Sequence, residues 1–565
     1  MGIKFFFSWL KKEFPHHFQN FQKTNSPDMG IDTFMIDLNG LFHTSAARVY
    51  QYGAYEKRSL LRRPRHEINQ NEDPKLRLEC FQDVCRTIEE LLNVVKPKKR
   101  LVMCIDGVAP LSKQNQQRQR RYRGLVEDSG ERNPNLFDSR CITPGTKFMD
   151  YLSKYIDWYI RKQISENEMW KNLEVVFSNE KVPGEGEHKL IDYIRKYGTD
   201  DETYCINALD ADLVMLSLGT HKKKFYLLRE ELYDRSFDYA YLNVGGGLRN
   251  DLTNSLLSWD GADEKRLIND FILFCFLCGN DFLPNIPSIS LIEKGMSTII
   301  DMYKLNAETC GHLTDENGEI IKSSFQLFLS RISQCEKSLL EEKYLKRTDY
   351  VAEDGLLTKH IQKVEDHYEL DFDNYRDDTY KKLGVDDLES ASHSYVDGCV
   401  WVLTYYLKGI SDWNYVYKYN YSPFAYDLTL TLTTYVQKKT VSSVPIPPFL
   451  QLLCVIPPTS AFLLPKPLDS VLTNRALSKY FPTSFHINYE GKKKEWEGIV
   501  ELPAVDVTEV RKEYTRLFSR VDALDSKRNV YGKSFVYKYS GEFSMFIKSY
   551  YGSFTSFCVS EPLAL

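Results

Sequence analysis

The sequence lacks the features that would assign it to a membrane, secreted or repeat class. No apolar run approaches the ~18 residues that a membrane-spanning helix needs, and the N-terminus has no apolar core of a secretory signal. The twelve cysteines show no repeated paired spacing, so free thiols and a reducing compartment are expected. We find no internal repeat. These absences predict a cytoplasmic protein and leave a nuclear location open.

A net positive charge is also missing. The 565 residues carry a formal net charge of −5, which does not suggest a general nucleic-acid coat. Acids gathered at a metal site would mask a basic groove elsewhere, so net charge decides little. With 42% hydrophobic residues, a chain of this length can bury a substantial core and form about two to four domains.

What the sequence does contain is closely spaced acids. In the segment 181–189, Glu185 and Glu187 are one residue apart, and glycines flank Glu185 on both sides. Glycine lets the backbone approach a ligand closely, and two crowded carboxylates repel each other unless a cation lies between them. A solvated acidic loop is the alternative. The same pairing recurs at Asp210 and Asp212, in a segment too apolar for a solvated loop.

Three further acids each follow an apolar run, namely Asp37, Asp106 and Asp281. Short runs rich in branched residues predict buried strands of a parallel sheet, and helical patterns between them predict an α/β fold. The predicted strands include residues 33–36, 101–105, 203–206 and 271–278, and the predicted helices include residues 144–164 and 188–197.

The carboxyl ends of parallel strands meet at one edge of a sheet, where ligands bind. Hard divalent cations such as Mg²⁺ prefer oxygen ligands, and two such ions ~4 Å apart can activate water and stabilise a leaving oxygen. For any single acid, a helix cap or a surface charge is the alternative. The predicted catalytic residues and metal ligands are Asp37, Asp106, Glu185, Glu187, Asp210, Asp212 and Asp281.

A basic segment follows Asp106. Proline at position 110 suits a helix start, and the residues after it are good helix formers. At 100° per residue, Lys113, Gln117, Arg120 and Arg121 fall within an arc of ~100° on one face of that helix. Such a face can bind a terminal phosphate. A solvated basic helix is the alternative, but no acid interrupts the run.

These segments resemble motifs of the Xrn-type 5′→3′ exoribonucleases. The resemblance implies a PIN/FEN-like, mostly parallel sheet flanked by helices, assigns all seven acids to catalytic positions, and gives His43 the role of stacking on a base. Lys4 replaces the usual proline of the family, and Leu111 replaces a customary basic residue. The matching segments are residues 1–10, 37–43, 106–121, 141–149, 182–189, 209–216 and 279–284.

The resemblance continues into a second conserved region, helical and loop-rich, which encloses the active site in the family. One of two tryptophans there stacks on the terminal base; here Trp413 is the candidate, and Tyr415 stands at the other position. The chain resembles a compact, divergent member with the catalytic core only. The predicted divisions are a nuclease domain at 1–304, a charged connector at 305–390, the second region at 391–530 and an unassigned segment at 531–565.

The resemblance further implies a reaction. Single-stranded RNA with a 5′-monophosphate would be degraded from its 5′ end to nucleoside 5′-monophosphates by metal-dependent hydrolysis. The expected cofactor is two Mg²⁺ ions, with Mn²⁺ as an alternative. The expected state is a monomer that does not bind a membrane.

Two other functions stay open. A flap-type 5′ nuclease acting on DNA would also gather acids on an α/β sheet, but no helix-hairpin-helix signal follows Asp281. A catalytically weak RNA-binding scaffold would be expected to have lost one or more of the acids, and all seven are present.

Overall fold

The computed structural model describes residues 3, 5–58, 69–127, 135–208, 210–231, 236–291, 295–352, 355–438 and 442–565. Four residues of the motifs above, Met1, Gly2, Lys4 and Leu209, lie outside these ranges.

Fifteen strands are present within the described ranges. They are β1 (Phe18–Phe21), β2 (Thr33–Asp37), β3 (Arg100–Cys104), β4 (Glu174–Ser178), β5 (Tyr204–Asn207), β6 (Phe225–Glu230), β7 (Tyr239–Asn243), β8 (Ile361–Val364), β9 (His367–Leu370), β10 (His486–Asn488), β11 (Ile499–Glu501), β12 (Ser534–Tyr539), β13 (Met545–Ser549), β14 (Gly552–Ser556) and β15 (Cys558–Leu563).

The same ranges contain nineteen α-helices. They are α1 (Phe6–Glu13), α2 (Leu38–Tyr50), α3 (Pro74–Val95), α4 (Leu111–Glu127), α5 (Lys147–Glu166), α6 (Glu168–Lys171), α7 (Gly186–Tyr197), α8 (Asp212–Gly219), α9 (Arg249–Leu256), α10 (Glu264–Phe276), α11 (Gly295–Cys310), α12 (Lys322–Leu345), α13 (Leu356–Lys359), α14 (Phe372–Leu383), α15 (Leu388–Lys408), α16 (Ala425–Thr431), α17 (Pro448–Val455), α18 (Val507–Phe518) and α19 (Ala523–Ser526).

One large sheet organises the molecule. Among the described residues it has nine strands in the order β1-β7-β6-β5-β2-β3-β4-β12-β15. The five central strands, from β6 to β4, are parallel, and two antiparallel pairings extend the sheet at each side. All strands except β7 and β12 therefore run in one direction. The predicted α/β fold with a mostly parallel sheet is confirmed.

The central strands are apolar along their whole length because helices cover both faces of the sheet. β2, β3 and β5 are buried almost throughout. One hydrophobic cluster lies on one face with α7, α8 and α10, and a second lies on the other face with α2, α3 and α5. Strands buried on both faces give continuous apolar runs rather than alternation, which is why the sequence located them correctly.

One strand prediction is wrong. The run 271–278 lies mainly in helix α10, whose residues 267–276 are all buried. A helix that is buried on every side is apolar all round, so it lacks the helical periodicity that would distinguish it from a buried strand.

The later part of the chain is helical and rich in loops, and it packs on the first part. The cluster that contains α10 also includes residues of α15 and extends as far as Tyr435. β12 pairs with β4, and β15 pairs with β12, so the segment 531–565 contributes two strands to the central sheet. Within the described ranges, no helix is both long and apolar enough to cross a membrane.

Candidate active site

Six of the seven predicted acids lie at the carboxyl edge of four adjacent parallel strands. Asp37 ends β2, and Asp106 follows β3 by two residues. Glu185 and Glu187 lie at the start of α7, after β4, while Asp210 and Asp212 lie at the start of α8, after β5. Asp281 joins them from the loop after α10, through the lysine described below.

Asp37 and Asp106 lie on either side of the glycine that begins α7. The backbone N–H of Gly186 donates to Asp106 Oδ1 at 2.6 Å, and Asn39 Nδ2 donates to Asp106 Oδ2 at 2.8 Å. A Cβ atom on Gly186 would lie 2.4 Å from Asp37 Oδ1 and 3.3 Å from Asp106 Oδ1. Any larger residue at position 186 would therefore displace these carboxylates. Burial, and next the charge of Asp106, raise the pKa of Asp37 well above its ordinary value.

A lysine joins two other acids of the site. Lys113 Nζ, from the first turn of α4, lies 2.6 Å from Glu185 Oε2 and 2.8 Å from Asp281 Oδ2. Burial alone would lower the pKa of Lys113, but Asp281 and Glu185 together raise it well above its ordinary value. Burial likewise opposes ionisation of Asp281, yet the Lys113 charge and hydrogen bond hold the pKa of Asp281 below its usual range.

The remaining acids lie between these two groups. Glu187 and Asp212 are buried, and Asp210 is exposed. Burial, and next the charge of Asp281, raise the pKa of Asp212 to about 7. Burial also raises the pKa of Glu187 well above its ordinary value, and Asp212 and Glu185 add to this effect. The site thus holds more negative charge than Lys113 offsets.

This arrangement fits hard divalent cations. Asp212 Oδ1 is buried and has no hydrogen-bond partner among the described residues. The lack of a side chain at Gly186 lets Asp37 and Asp106 approach the backbone at the start of α7 closely. An all-carboxylate set with an unsatisfied buried oxygen is the chemistry that Mg²⁺ prefers.

The other predicted phosphate ligands lie about one to two turns further along α4. Arg121 Nη2 donates to Thr143 Oγ1 at 2.8 Å, while its Nη1 is buried without a hydrogen-bond partner in the described part of the chain. The buried Gln117 Oε1 also lacks a partner there, and the Arg120 side chain is exposed. Burial, then Arg120, lower the pKa of Arg121 to about 9, so the guanidinium stays charged at neutral pH. Lys113 is set apart from these three because its Nζ contacts the acids.

The two predicted stacking residues come from different parts of the fold. His43 lies on α2, and solvent reaches part of its side chain. Protein atoms nevertheless surround the ring, and this desolvation, followed by the charges of Arg120 and Arg121, lowers the pKa of His43 to about 4. A neutral imidazole at physiological pH suits stacking on a base.

Trp413 is half-buried, and its backbone oxygen accepts a hydrogen bond from the N–H of Leu111 at 2.9 Å. Tyr415 instead stacks on Trp401, with 5.1 Å between ring centroids, and donates to the Ser394 oxygen. Tyr415 is therefore committed to packing. Trp413, beside the start of α4, is the better placed of the two for contact with a base.

Sequence reasoning missed a tyrosine that ties the second region to the acids. Tyr405 Oη, from α15, donates to Glu185 Oε1 at 2.9 Å. The Tyr405 ring also stacks on His188, with 3.6 Å between centroids and 3° between planes. Tyr405 lies in a run of apolar and aromatic residues, so no local signal distinguishes it from a core residue.

With this geometry described, comparison with known proteins assigns the family. The family model described as "XRN 5'-3' exonuclease N-terminus" matches residues 1–231. The model described as "Xrn1 helical domain" matches residues 261–382 and 367–557, more than half of the chain. The chain belongs to the XRN 5′–3′ exonuclease family. The resemblance inferred from the motifs is confirmed.

Individual relatives of this family cover nearly all of the chain. It is 29% identical to human "5'-3' exoribonuclease 1" over 90% of its length, and 26% identical to the Schizosaccharomyces pombe protein of the same name over 100%. The Drosophila melanogaster "5'-3' exoribonuclease 2 homolog" is 26% identical over 95% of this chain, and the match spans 73% of the Drosophila protein. The chain spans only 33% of the human relative and 52% of the S. pombe relative.

Solved structures show a weaker likeness. The match with the catalytic core of Rad2 in complex with DNA substrate covers 68% of this chain and 96% of the Rad2 chain. The sequence identity is 14% and the TM-score is 0.30. A TM-score this low informs neither the fold nor the function.

Proposed function

We propose that the protein is a metal-dependent 5′→3′ exoribonuclease that releases nucleoside 5′-monophosphates from single-stranded RNA with a 5′-monophosphate end. The observation that carries this proposal is the contact of α4 with the acids. Lys113 touches Glu185 and Asp281, and Gln117 and Arg121 follow one and two turns later, at about 5.4 Å per turn. A 5′-phosphate bound there presents its first internucleotide linkage to the acids.

The polar atoms left without partners support a phosphate at this point. The buried Arg121 Nη1 needs an acceptor, and the exposed Arg120 supplies a second guanidinium. Gln117 could donate through its Nε2, although its atom without a partner is the acceptor Oε1. Buried donors and charges are costly to leave unsatisfied, and a phosphate monoester satisfies several together. A capped or triphosphate end would add bulk and charge to the same space.

Binding of the base would orient the RNA without selecting its sequence. His43 and Trp413 would stack on the first bases, and such contacts contribute ~1–3 kcal/mol per base whatever the base is. The neutral state of His43 leaves the phosphates to the arginines. Tyr405 would hold Glu185 in orientation by its hydrogen bond.

Asp37, Asp106, Glu185, Glu187, Asp210, Asp212 and Asp281 would hold the metal. When bound, two Mg²⁺ ions, or Mn²⁺ in their place, supply an activated water and stabilise the leaving oxygen. The protein itself would fix the linkage in line with the attacking water and neutralise the excess carboxylate charge through Lys113. Monomeric action in the cytoplasm is part of the same proposal.

The test uses end-labelled single-stranded RNA with Mg²⁺, comparing 5′-monophosphate with 5′-triphosphate ends. Stepwise release of mononucleotides from the monophosphate RNA alone is expected, with loss of activity in Asp210→Asn. Asp200→Asn is the matched control because Asp200 is an exposed aspartate paired with Lys222, away from the site. Equal degradation of duplex DNA would favour a flap-type nuclease, and RNA binding without cleavage would favour a scaffold.

A further inference from the structure

A cavity of about 350 Å³ adjoins the acid cluster, and His43 is not among the residues that line it. Asp281 and Arg120 line it, so it borders both the acids and the basic helix. None of the other predicted site residues does. Its remaining walls come from the loop after α10, from α12 and α14, and from residues 417–422 and 488–499 of the second region.

Helix α4 separates this cavity from the predicted substrate site. Ser112, Gln116, Gln119 and Arg123 line the cavity, and their spacing places them on one face of the helix. At 100° per residue, that face is rotated by roughly 110° from the face that carries the predicted phosphate ligands. Arg120 lies at the boundary between the two faces. The cavity is thus a second compartment next to the acids.

Basic residues outnumber acidic ones two to one along the wall. The acids are Asp281, Glu490 and Glu497, and each already binds protein groups. Glu490 accepts from the Leu356 N–H at 2.8 Å, and Glu497 accepts from the Lys493 N–H at 3.2 Å. Two of the basic residues are also paired, Lys382 with Glu490 and Lys493 with Asp349, and the remaining excess of positive charge favours an anion. The basic residues are Arg120, Arg123, Lys343, Lys382, Lys492 and Lys493.

Aromatic rings complete the wall. Tyr350, Tyr375 and Tyr419 line the cavity, and Lys493 Nζ lies 5.3 Å from the centre of the Tyr350 ring. Rings that alternate with cations bind bases and phosphates together. The volume lies at the lower end of the range for small-molecule sites, about 300–1,000 Å³, and suits one nucleotide rather than a chain.

We propose that this cavity receives the released nucleoside 5′-monophosphate before it leaves the protein. The proposal rests on the proposed exonuclease function. After each cleavage, the shortened RNA must move its new 5′-phosphate toward Arg120 and Arg121, so the product cannot leave along the face that the RNA occupies. The cavity beside Asp281 offers the other way out, and the exposed Lys382 marks its rim.

The first experiment locates the bound product. The full chain is irradiated with 8-azidoadenosine 5′-monophosphate, and labelled peptides are mapped, with 8-azidoadenosine as the control that lacks phosphate. Label in the segments around Tyr350, Tyr375 or Tyr419 is expected. Label confined to α2 and the 413–415 segment would overturn the proposal. Cross-linking of the same tyrosines by 4-thiouridine at the third position of a bound RNA would also overturn the proposal, because the cavity would then hold the RNA chain.

The second experiment separates the cavity from the substrate site by kinetics. Adenosine 5′-monophosphate is expected to inhibit noncompetitively against RNA, and Lys343→Gln to weaken this inhibition about 10-fold through loss of one charged contact. Single-turnover release of the first nucleotide should not change. The matched control is Lys337→Gln, on the same helix but outside the cavity and paired with Glu369. Lys492→Gln repeats the test from another part of the wall.

Two results would be decisive. Competitive inhibition that Lys343→Gln and Lys492→Gln leave unchanged would overturn the cavity as a product site. A protein that degrades no RNA would overturn the proposed function instead, and the cross-linking map would still decide whether the cavity binds a nucleotide.

Discussion

Two pairs of acids within the cluster, named here the Asp281 half and the Asp37 half, are balanced in different ways. In the Asp281 half, made of Glu185 and Asp281, a buried lysine contacts both carboxylates. In the Asp37 half, made of Asp37 and Asp106, backbone and amide groups donate hydrogen bonds, and no salt bridge reaches either acid within the described ranges. Burial, and next the charge of Asp106, raise the pKa of Asp37, whereas Lys113 holds the pKa of Asp281 below its usual range. Lys113 also lowers the pKa of Glu185, but burial outweighs it and that pKa stays raised.

This difference indicates where a cation is needed. Lys113 offsets one of the two charges of the Asp281 half. Among the described residues no cation contacts the Asp37 half, whose like-charge repulsion an added cation or a proton would relieve. The half with the repulsion is also the half in which the carboxylates approach the Gly186 backbone so closely that a Cβ atom would not fit there. Substitutions in the two halves should therefore have opposite effects on the stability of the metal-free protein.

The largest effects are expected from Asp37→Asn and Asp281→Asn. Each should reduce RNA degradation about 10³-fold or more, because each removes a proposed metal ligand. In EDTA, however, Asp37→Asn should raise the melting temperature, since it removes repulsion and keeps the helix cap, whereas Asp281→Asn should lower it. Thermal melts and initial rates measure both. Shifts of the same sign in the two variants would contradict the comparison.

Lys113→Met should destabilise the metal-free protein by about 3–5 kcal/mol, because it leaves two buried carboxylates without their cation. Mg²⁺ should restore part of the loss by binding the same carboxylates. Urea unfolding with and without Mg²⁺ provides the measurement. Lys222→Met, which breaks an exposed ion pair with Asp200, is the control and should change little. Equal losses in both variants would mean that Lys113 is not the charge that balances this half.

The pH dependence of stability should show the uncompensated charge directly. The pKa of Asp212 is raised to about 7, so the folded protein binds this proton more tightly than the unfolded chain. In the absence of metal, the free energy of unfolding should therefore fall as the pH rises from about 4 to 7 and level off above about pH 7. Asp212 alone should contribute a slope of less than about 1.4 kcal/mol per pH unit. Asp212→Asn should flatten the slope. Unfolding in EDTA across this range is the measurement, and an unchanged slope in the variant would exclude Asp212 as its source.

The smallest effect is expected from Tyr405→Phe, which removes one hydrogen bond to Glu185. Loss of such an orienting partner should weaken Mg²⁺ activation about 10-fold, with little change in KM for RNA. Tyr395→Phe is closely matched: Tyr395 is on the same helix and buried, and its hydroxyl donates to the Pro284 oxygen. Mg²⁺ titrations of activity should distinguish the two variants, and equal titration curves would assign Tyr405 to packing alone.

The convergence of the acids was predictable because it depends on strand ends. Asp37, Asp106 and the pairs after β4 and β5 each follow a buried strand, and parallel strands deliver their carboxyl ends to one edge. The same reasoning wrongly predicted a strand at residues 271–278, because a helix that is buried on all sides lacks the periodic apolar pattern of a helix with one exposed face. The phosphate-binding and base-stacking roles stay predictions.

Contacts between distant segments were beyond the sequence. Lys113 was expected with the phosphate ligands by its helical face, but its first-turn position brings Nζ to Glu185 and Asp281. Tyr405 meets Glu185 across 220 residues of chain. Such contacts depend on how α15 packs against α7, which no local pattern encodes.

The strand pair β12 and β15 has one further consequence. Without it, β4 would be an open, apolar edge with free N–H and C=O groups, a template for pairing with another molecule. β12 covers that edge, and the strand that then lies outermost carries Glu561 and Pro562, residues that discourage further pairing. Residues 534–563 thus cover the edge of the central sheet, and we expect their removal to be seen first as aggregation.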